Sequence, residues 1–267
     1  MKRRWLFAAA LALGATNLLP LWLVVKQAFS PEKESFSWPP HFFPQEWTLV
    51  NLAAAAEVVP LGSGLLMSLG VAGATVLSSL LLALPAAFAA ARRPPLDGPL
   101  DVAFVAARML PTIAVAIPLA VIFVGAGLYN GPFGIGLWLA HTLLGLPFAF
   151  LVLRAAFRGV PRELEEAARL DGATSRQAFW RISLPLVRPS LATAAVLVFL
   201  VSWDEFAYAI LLQVTNRSLP PLLYYLSAFG YPGLSSAVAL LMLVPAVVIV
   251  LLLEPVLRSG VLAGSHR

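Results

Sequence analysis

"EEAARLDGATSRQAFWRISLPLVRP" runs from Glu165 to Pro189. It lies in a chain that is 60% hydrophobic and 12% charged, whereas soluble domains are roughly 45–50% apolar and roughly 25% charged. A polar, arginine-rich stretch between two hydrophobic runs needs a reason of its own. Its punctuation is that of two short helices. Pro161 suits a first helical turn, where its missing N–H costs nothing. Glu163, Glu165 and Glu166 follow, and carboxylates complement the positive helix end. The helix is expected to end near Leu170 or Asp171, with Gly172 as a left-handed cap. Thr174 and Gln177, three apart, spell a capping box for a second helix. Phe179 and Ile182 share a face of that helix, Pro185 ends it, and Pro189 begins the next span. The loop 157–189 is too long for a plain connector, since helix–helix connections take about 2–8 residues. Two readings fit: a hairpin projecting from the membrane, or an amphipathic hairpin lying on the lipid surface. The glycine elbow favours projection, because a surface-lying helix has no need of a sharp turn.

Outward from this stretch, the apolar runs read as membrane helices. The first follows Met1-Lys2-Arg3-Arg4 and extends from Trp5 to Val25. It is longer than the 7–15-residue core of a signal peptide, so a retained first helix is expected. Five more runs lie at roughly Leu65–Ala91, Leu100–Val124, Gly134–Ala156, Ser190–Leu212 and Ser236–Leu257. Each approximates the ~20 residues needed to cross a bilayer. Pro85, Pro111, Pro118, Pro147 and Pro245 fall inside them, as membrane helices tolerate. The expectation is an all-α polytopic membrane protein with six transmembrane helices. Its parts are a first transmembrane helix (1–29), an outer loop (30–64), a five-helix core (65–257) containing the loop 157–189, and a tail (258–267).

Six spans sort the 18 Lys and Arg unequally. Fourteen, among them Lys2, Arg3, Arg4, Arg92, Arg93, Arg154, Arg158, Arg162, Arg258 and Arg267, fall on one side; Lys26, Lys33 and Arg217 fall on the other. That bias places both termini and the quoted loop in the cytoplasm. The net charge of +5 has its source here. The arginines lie beside hydrophobic spans rather than among aromatics on a soluble module, which argues against nucleic acid. On the other side, "FSPEKESFSWPPHFFPQEWTLVNL" (Phe29–Leu52) is rich in Pro and aromatics; Trp38 and Trp47 suit the headgroup level of an interfacial loop. Arg108, inside the third span, either snorkels to the interface or pairs with an acidic residue.

Several chemistries are missing. The chain has no cysteine, hence no disulfide framework or thiol nucleophile. His41, His141 and His266 are scattered without metal-ligand spacing. His141, in the fourth span, is a helix–helix hydrogen-bonding residue or a substrate contact. No Gly-x-Ser-x-Gly elbow occurs. An intramembrane aspartyl protease needs two facing aspartates, and only Asp204 lies deep in a span, since Asp97 and Asp101 sit at an edge. A secondary carrier is expected to show an internal repeat, and none is convincing. A phosphate-binding loop needs a Gly-Lys pair, yet none of the lysines, Lys2, Lys26 and Lys33, follows a glycine. No catalytic residue, metal site or bound cofactor is expected on this chain.

Glu166-Ala167-Ala168, Asp171-Gly172-Ala173, Phe179, Ile182, Leu184-Pro185 and Pro189 resemble the EAA loop of permease subunits of binding-protein-dependent ABC importers. The resemblance implies that this loop is a coupling helix docking in a cleft of a cytoplasmic ATPase. It further implies two separate ATPase subunits that bind ATP and Mg, a second permease chain, an extracytoplasmic solute-binding protein, and the plasma (inner) membrane of a prokaryote. "PPHFFPQEWTLVNL", "LPTIAVAIPL", "GLYNGPFGIGL" and "LPFAFLVLRAAFRGVPRELEEAA" are similar to the carbohydrate branch, in particular to the second permease subunit of maltose-type importers. "SWDEFAYAILL" resembles the fifth-span signature of that branch, usually Trp-Asn-Glu-Phe, with Asp204 in place of Asn. Polyamine-type permeases carry two acidic residues nearby. The cargo is therefore a mono- or oligosaccharide or, alternatively, a polyamine or another small organic solute.

Asp204 and Glu205 lie about fifteen residues, or roughly 22 Å, into the fifth span. Charges there are costly against lipid and are expected to face protein or water. On a continuous helix, Asp204 shares a face with Tyr208, and Glu205 with Ser202 and Ala209. Asp204 and Tyr208, with Trp203 as a third candidate, are thus expected to border the translocation route, while Glu205 packs against a neighbouring helix or the partner chain.

Overall fold

A computed structural model describes residues 2–264 of the chain. His266 and Arg267 lie outside the described residues, as do the side chains of Lys2, Arg3, Arg4, Asp97 and Arg258. Among the described residues every regular element is helical. In order these are α1 (Lys2–Ala28), a 3-10 turn (Glu32–Phe36), α2 (Val50–Val58), α3 (Leu61–Arg92), α4 (Pro94–Met109), α5 (Thr112–Gly125) and α6 (Ile135–Gly159). There follow α7 (Arg162–Leu170), α8 (Ser175–Leu186, with a π-helical turn at Phe179–Ser183), α9 (Arg188–Trp203), α10 (Ala207–Leu212), α11 (Leu219–Ala228) and α12 (Pro232–Gly264).

Four helices are long and apolar enough to cross a membrane, at Trp5–Ala28, Leu61–Arg92, Ile135–Gly159 and Pro232–Pro255; counting bent helix pairs as single spans raises the number to six. The first, second, fourth and sixth expected spans are thus continuous helices. The third is not. It breaks into α4 and α5, bent by 94°. Leu110 (ψ 127°) and Pro111 (ψ 126°) are both extended. Proline has no N–H to continue the ladder, and it drives the residue before it out of the helical region. Pro85, Pro118 and Pro147, in contrast, stay inside their helices. The fifth span is also broken, between Trp203 and Ala207, with no proline at the break. The sequence reading has no helix between the fifth and sixth spans, where the structure has α11. That helix is ten residues long and carries Pro220 and Pro221 in its first turn, too short to register as a span.

The chain divides into two compact units, residues 1–65 with 218–245 and residues 66–217 with 246–267. In the first, a polar knot closes the end of α1. The Asn51 amide donates to the carbonyls of Gln27, Ala28 and Ser30 at 3.2, 3.2 and 2.6 Å. The buried Glu34 carboxylate accepts from the backbone N–H groups of Gln45 and Glu46 and lies 3.9 Å from Lys26. Burial alone would raise the Glu34 carboxyl; those N–H bonds, Lys26 and Ser30 outweigh it and hold it below the ordinary carboxylate value. Trp22 donates from Nε1 to the Phe42 carbonyl at 3.1 Å and gathers Phe42, Phe43 and Trp47 around its ring. Trp38 stands 90% exposed.

In the second unit α6 is the central member, packed on α4, α5, α9 and α10. One cluster of small and aromatic side chains joins it to α3 and α9, with Ala83, Ala87, Phe150, Leu153 and Val198 fully buried. Small residues let membrane helices approach closely, which is how they gain packing energy without a hydrophobic drive. Gly145 shows how closely: a Cβ there would lie 2.8 Å from Val198 Cγ1 and 2.9 Å from Ser79 Oγ. Gly145→Val is therefore expected to force α3, α6 and α9 apart at a cost of about 1–3 kcal/mol. The check is the melting temperature of the purified chain, which should fall, whereas Gly98→Ala, where a Cβ meets nothing within 4 Å, should leave it in place.

Candidate functional site

The hairpin α7–α8 folds as its sequence dictates. Gly172 has φ +88°, and the bonds from Gly172 N–H to the Arg169 carbonyl (3.1 Å) and Ala173 N–H to the Ala168 carbonyl (2.9 Å) make a complete Schellman cap. Thr174 N–H donates to Gln177 Oε1 at 2.8 Å, and Gln177 N–H donates to Thr174 Oγ1 at 3.2 Å, which is the capping box. Pro161 stands at the N-cap of α7, just before its first turn. Pro185 does not end the second helix; α8 runs on through Leu186 and turns by 71° into α9, where Pro189 sits in the first turn.

A single buried carboxylate roots the hairpin. Glu165 Oε1 accepts from Arg92 Nη2 at 2.6 Å, Arg92 Nε at 2.9 Å and Ser183 Oγ at 2.7 Å. Arg92 also donates to the carbonyls of Phe157 (2.8 Å) and Val160 (3.2 Å), the last turn of α6 and its cap. One guanidinium thus gathers the ends of α3 and α6, and through Glu165 both arms of the hairpin. Arg162 adds a bond from Nη2 to the Ala91 carbonyl at 3.2 Å. Beneath lies an aromatic triad of Phe88, Phe157 and Phe179, with centroids 4.8–6.0 Å apart. Burial alone would raise the Glu165 carboxyl. Hydrogen bonds from Arg92 and Ser183, with the charges of Arg92 and Arg169, outweigh it and hold the carboxyl below the ordinary value.

The residues of the EAA resemblance divide between tip and root. Glu166, Ala167, Asp171 and Gly172 are exposed; Ala168, Ala173, Phe179, Ile182, Leu184, Pro185 and Pro189 are half-buried. Phe179 and Leu184 pack on the core of the second unit, so they fasten the hairpin rather than present it. Leu170, 90% exposed, and Trp180, 55% exposed, are among the apolar side chains the hairpin leaves open, and the sequence reading assigns neither to a contact surface. It also treats Glu165 as one more first-turn carboxylate. Nothing local marks it as the root, because Arg92 is 73 residues away. A cleft of about 320 Å³ opens at the base, lined by Arg93, Arg162, Glu166 and Arg169 among others.

The break in the fifth span is the second place where polar groups converge. Asp204 caps α9 and is exposed. Because α9 ends at Trp203, Asp204 and Tyr208 do not share a helical face, and the pairing expected on a continuous helix is corrected. Tyr208 (2% exposed) is packed with Met67, Val71 and Leu137, and Trp203 (4%) stacks on Phe199 at 5.4 Å. Glu205 turns onto α10: its carboxylate accepts from the N–H groups of Tyr208 (2.9 Å) and Ala209 (3.1 Å). His141 of α6 joins Ser202 Oγ through Nδ1 at 2.7 Å and places Nε2 3.3 Å from Glu205 Oε2. The Arg108 guanidinium lies over the Phe148 ring at 3.6 Å. About two turns earlier on α4, Asp101 pairs with Arg154 of α6.

An internally braced hairpin joined to broken and continuous apolar helices defines a class, and similarity to known proteins gives the family. The chain belongs to the family described as the inner membrane component of binding-protein-dependent transport systems, whose model matches residues 79–261. It is 30% identical to the diacetylchitobiose uptake system permease protein DasC of Streptomyces coelicolor, over 99% of this chain and 97% of that one. It is likewise 30% identical to the trehalose transport system permease protein SugB of Mycobacterium tuberculosis, over 98% of this chain and 97% of that one. Its fold matches a chain of a bacterial ABC transporter involved in the import of the acidic polysaccharide alginate, with a TM-score of 0.72 and 19% identity over 95% of this chain and 96% of that one. The protein is a membrane-embedded permease subunit of an ABC transporter and not an enzyme, and ATP hydrolysis falls to separate chains.

Two variants test the root. Arg92→Met leaves the Glu165 carboxylate buried without its ion-pair partner, with only the Ser183 hydroxyl bonded to it. The cost should lie at the lower end of about 3–5 kcal/mol, because water reaches part of the pair. The second test is pH. A carboxyl lowered in the native state contributes stability fully above its ordinary value and loses it as pH falls through the native one. The melting temperature should therefore hold above about pH 5 and drop below the ordinary value of 4.5, more steeply than in Glu165→Gln.

Proposed function

We propose that this chain is one half of the translocation pathway of an ATP-driven importer for a mono- or oligosaccharide, coupled to its ATPase through the hairpin 157–189. The observation that carries the reading is a hairpin turned at a left-handed glycine and rooted on Glu165, with its tip residues exposed. The exposed Glu166, Ala167, Asp171 and Gly172, with Leu170 and Trp180, form the docking surface; Phe179, Leu184, Pro185 and Pro189 hold it to the spans. The partners are a second permease subunit, two ATPase subunits carrying ATP and Mg, and an extracytoplasmic solute-binding protein. Both termini are cytoplasmic in the inner membrane of a prokaryote, residues 30–64 face outward, and residues 65–257 form the permease core.

The sugar reading draws support from the relatives, whose names specify diacetylchitobiose, alpha-glucosides and trehalose. The break in the fifth span also supports it. Glu205 is engaged by α10 and His141, which leaves Asp204 as the one exposed carboxylate there. That arrangement suits a neutral polyhydroxy solute better than a polycation. Asp204 is assigned to the route; Trp203 and Tyr208 support it from within the protein.

Three measurements bear on this reading. Mass spectrometry of the solute carried by the binding protein purified with the complex should find a saccharide; a polyamine would sink the cargo assignment. The native chain has no cysteine, so single cysteines are clean reporters. Lys33→Cys and Arg217→Cys should react with an impermeant maleimide from outside and Ser175→Cys should not; external labelling at 175 would reverse the topology. Gly172→Val forces a β-branched residue into the left-handed region, at about 1–2 kcal/mol of strain. It should uncouple ATP hydrolysis from transport while the spans still insert. Intact assembly and coupling in that variant would refute the docking surface.

A further inference from the structure

The helix of the fifth span stops at Trp203 without a proline or glycine to stop it. Unwound backbone at membrane depth is tolerated only where it is buried in protein or lines a water-filled cavity. Residues 204–206 must therefore be held from both sides. Glu205 holds the far side, because its carboxylate satisfies two of the orphan N–H donors that open α10. His141 holds the near side and reaches across. Its Nδ1 bonds Ser202 in the last turn before the break, at 2.7 Å, and its Nε2 lies 3.3 Å from the Glu205 carboxylate after it. The imidazole is 2% exposed and projects from α6, which runs unbroken through the second unit. A tie between two helices needs only the bond to Ser202. An ionisable ring that also meets a carboxylate inside a span is costly to place and points to function.

We propose that His141, Ser202 and Glu205 form a clasp that fixes the break in the fifth span, and that this clasp aims Asp204 at the transported solute. His141 and Glu205 are then positioning residues for solute recognition, an assignment that rests on the importer reading above. The clasp fastens two helical segments to α6 at one imidazole. The three unwound residues between them are kept in a single register, with Asp204 outward. Without His141 the ends of α9 and α10 lose their common anchor, and Asp204 loses a fixed direction.

The test uses the intact complex, and its first arm is amide hydrogen exchange. In His141→Ala and in Glu205→Ala, exchange across 204–212 should rise at least about tenfold, while peptides from α7–α8 and from the first unit keep their wild-type rates. His141→Gln, whose amide can still bond Ser202 and keep a polar group beside Glu205, should restore most of the protection. The second arm is Asp204→Cys, the sole thiol in the chain, reacted with a charged methanethiosulfonate. Its rate should change severalfold when His141→Ala is added and return toward the starting value with His141→Gln. Unchanged exchange at 204–212 in His141→Ala overturns the clasp, and so does a rise that spreads equally to α7–α8. Local acceleration with no change in the reactivity of the thiol at 204 overturns the positioning role. ATP hydrolysis stimulated by the loaded binding protein, measured on the same preparations, reports separately on the importer reading.

Discussion

Two nitrogens of Arg92 meet one oxygen of Glu165, and that contact organises everything on its side of the bundle. Without it, the hairpin α7–α8 would be two short helices of nine and twelve residues on a flexible stalk, too short to be stable alone. With it, the end of α3, the last carbonyls of α6 and the root of α8 are one hydrogen-bonded body. The bond is charge-assisted, short and largely removed from water, so the cost of burying both charges is met by several partners at once. The hairpin gains its stiffness from this root and from the aromatic triad under it, not from the propensity of its own residues.

The two broken spans obey the same rule by different means. At Leu110-Pro111 the break is covalent in origin: proline cannot donate, and its neighbour cannot stay helical. At Asp204–Phe206 the backbone is free to continue and does not. There the tertiary environment offers something better than one more turn. Glu205 becomes the cap of a new helix, and His141 stands behind it. A carboxylate at a helix N-terminus is in its most favourable electrostatic position, which turns an expensive intramembrane charge into a structural group and leaves its neighbour Asp204 exposed.

The first unit shows a third use of buried polarity. Asn51 satisfies three carbonyls at the end of α1, and Glu32 accepts from the N–H of Gly233 in the first turn of α12 at 3.1 Å. These are the free carbonyls and free amides that every helix end leaves. The segment after α1, with the first turn of α2, therefore serves as capping material both for α1 and for α12, distant in sequence. This explains why so long a segment is ordered, with its aromatic cluster gathered on Trp22.

What could be read from the residues alone were the features whose causes are local. Apolar runs of sufficient length gave continuous spans at α1, α3, α6 and α12. The left-handed turn at Gly172 and the Thr174–Gln177 box depend on side chains within a few positions, and both lie where their spacing places them. The expected pairing of Asp204 with Tyr208 failed, because it assumed that a hydrophobic run is an unbroken helix. The break at 204–206 and the root of the hairpin both depend on groups brought in from other helices: His141 from 61 residues before Ser202, Arg92 from 73 before Glu165. A capped end or an elbow is stabilised by bonds over three or four residues, and the sequence spells those bonds out. A root or a clasp exists only when the bundle closes, because burial gives such polar contacts their strength, and burial is a property of the packed chain.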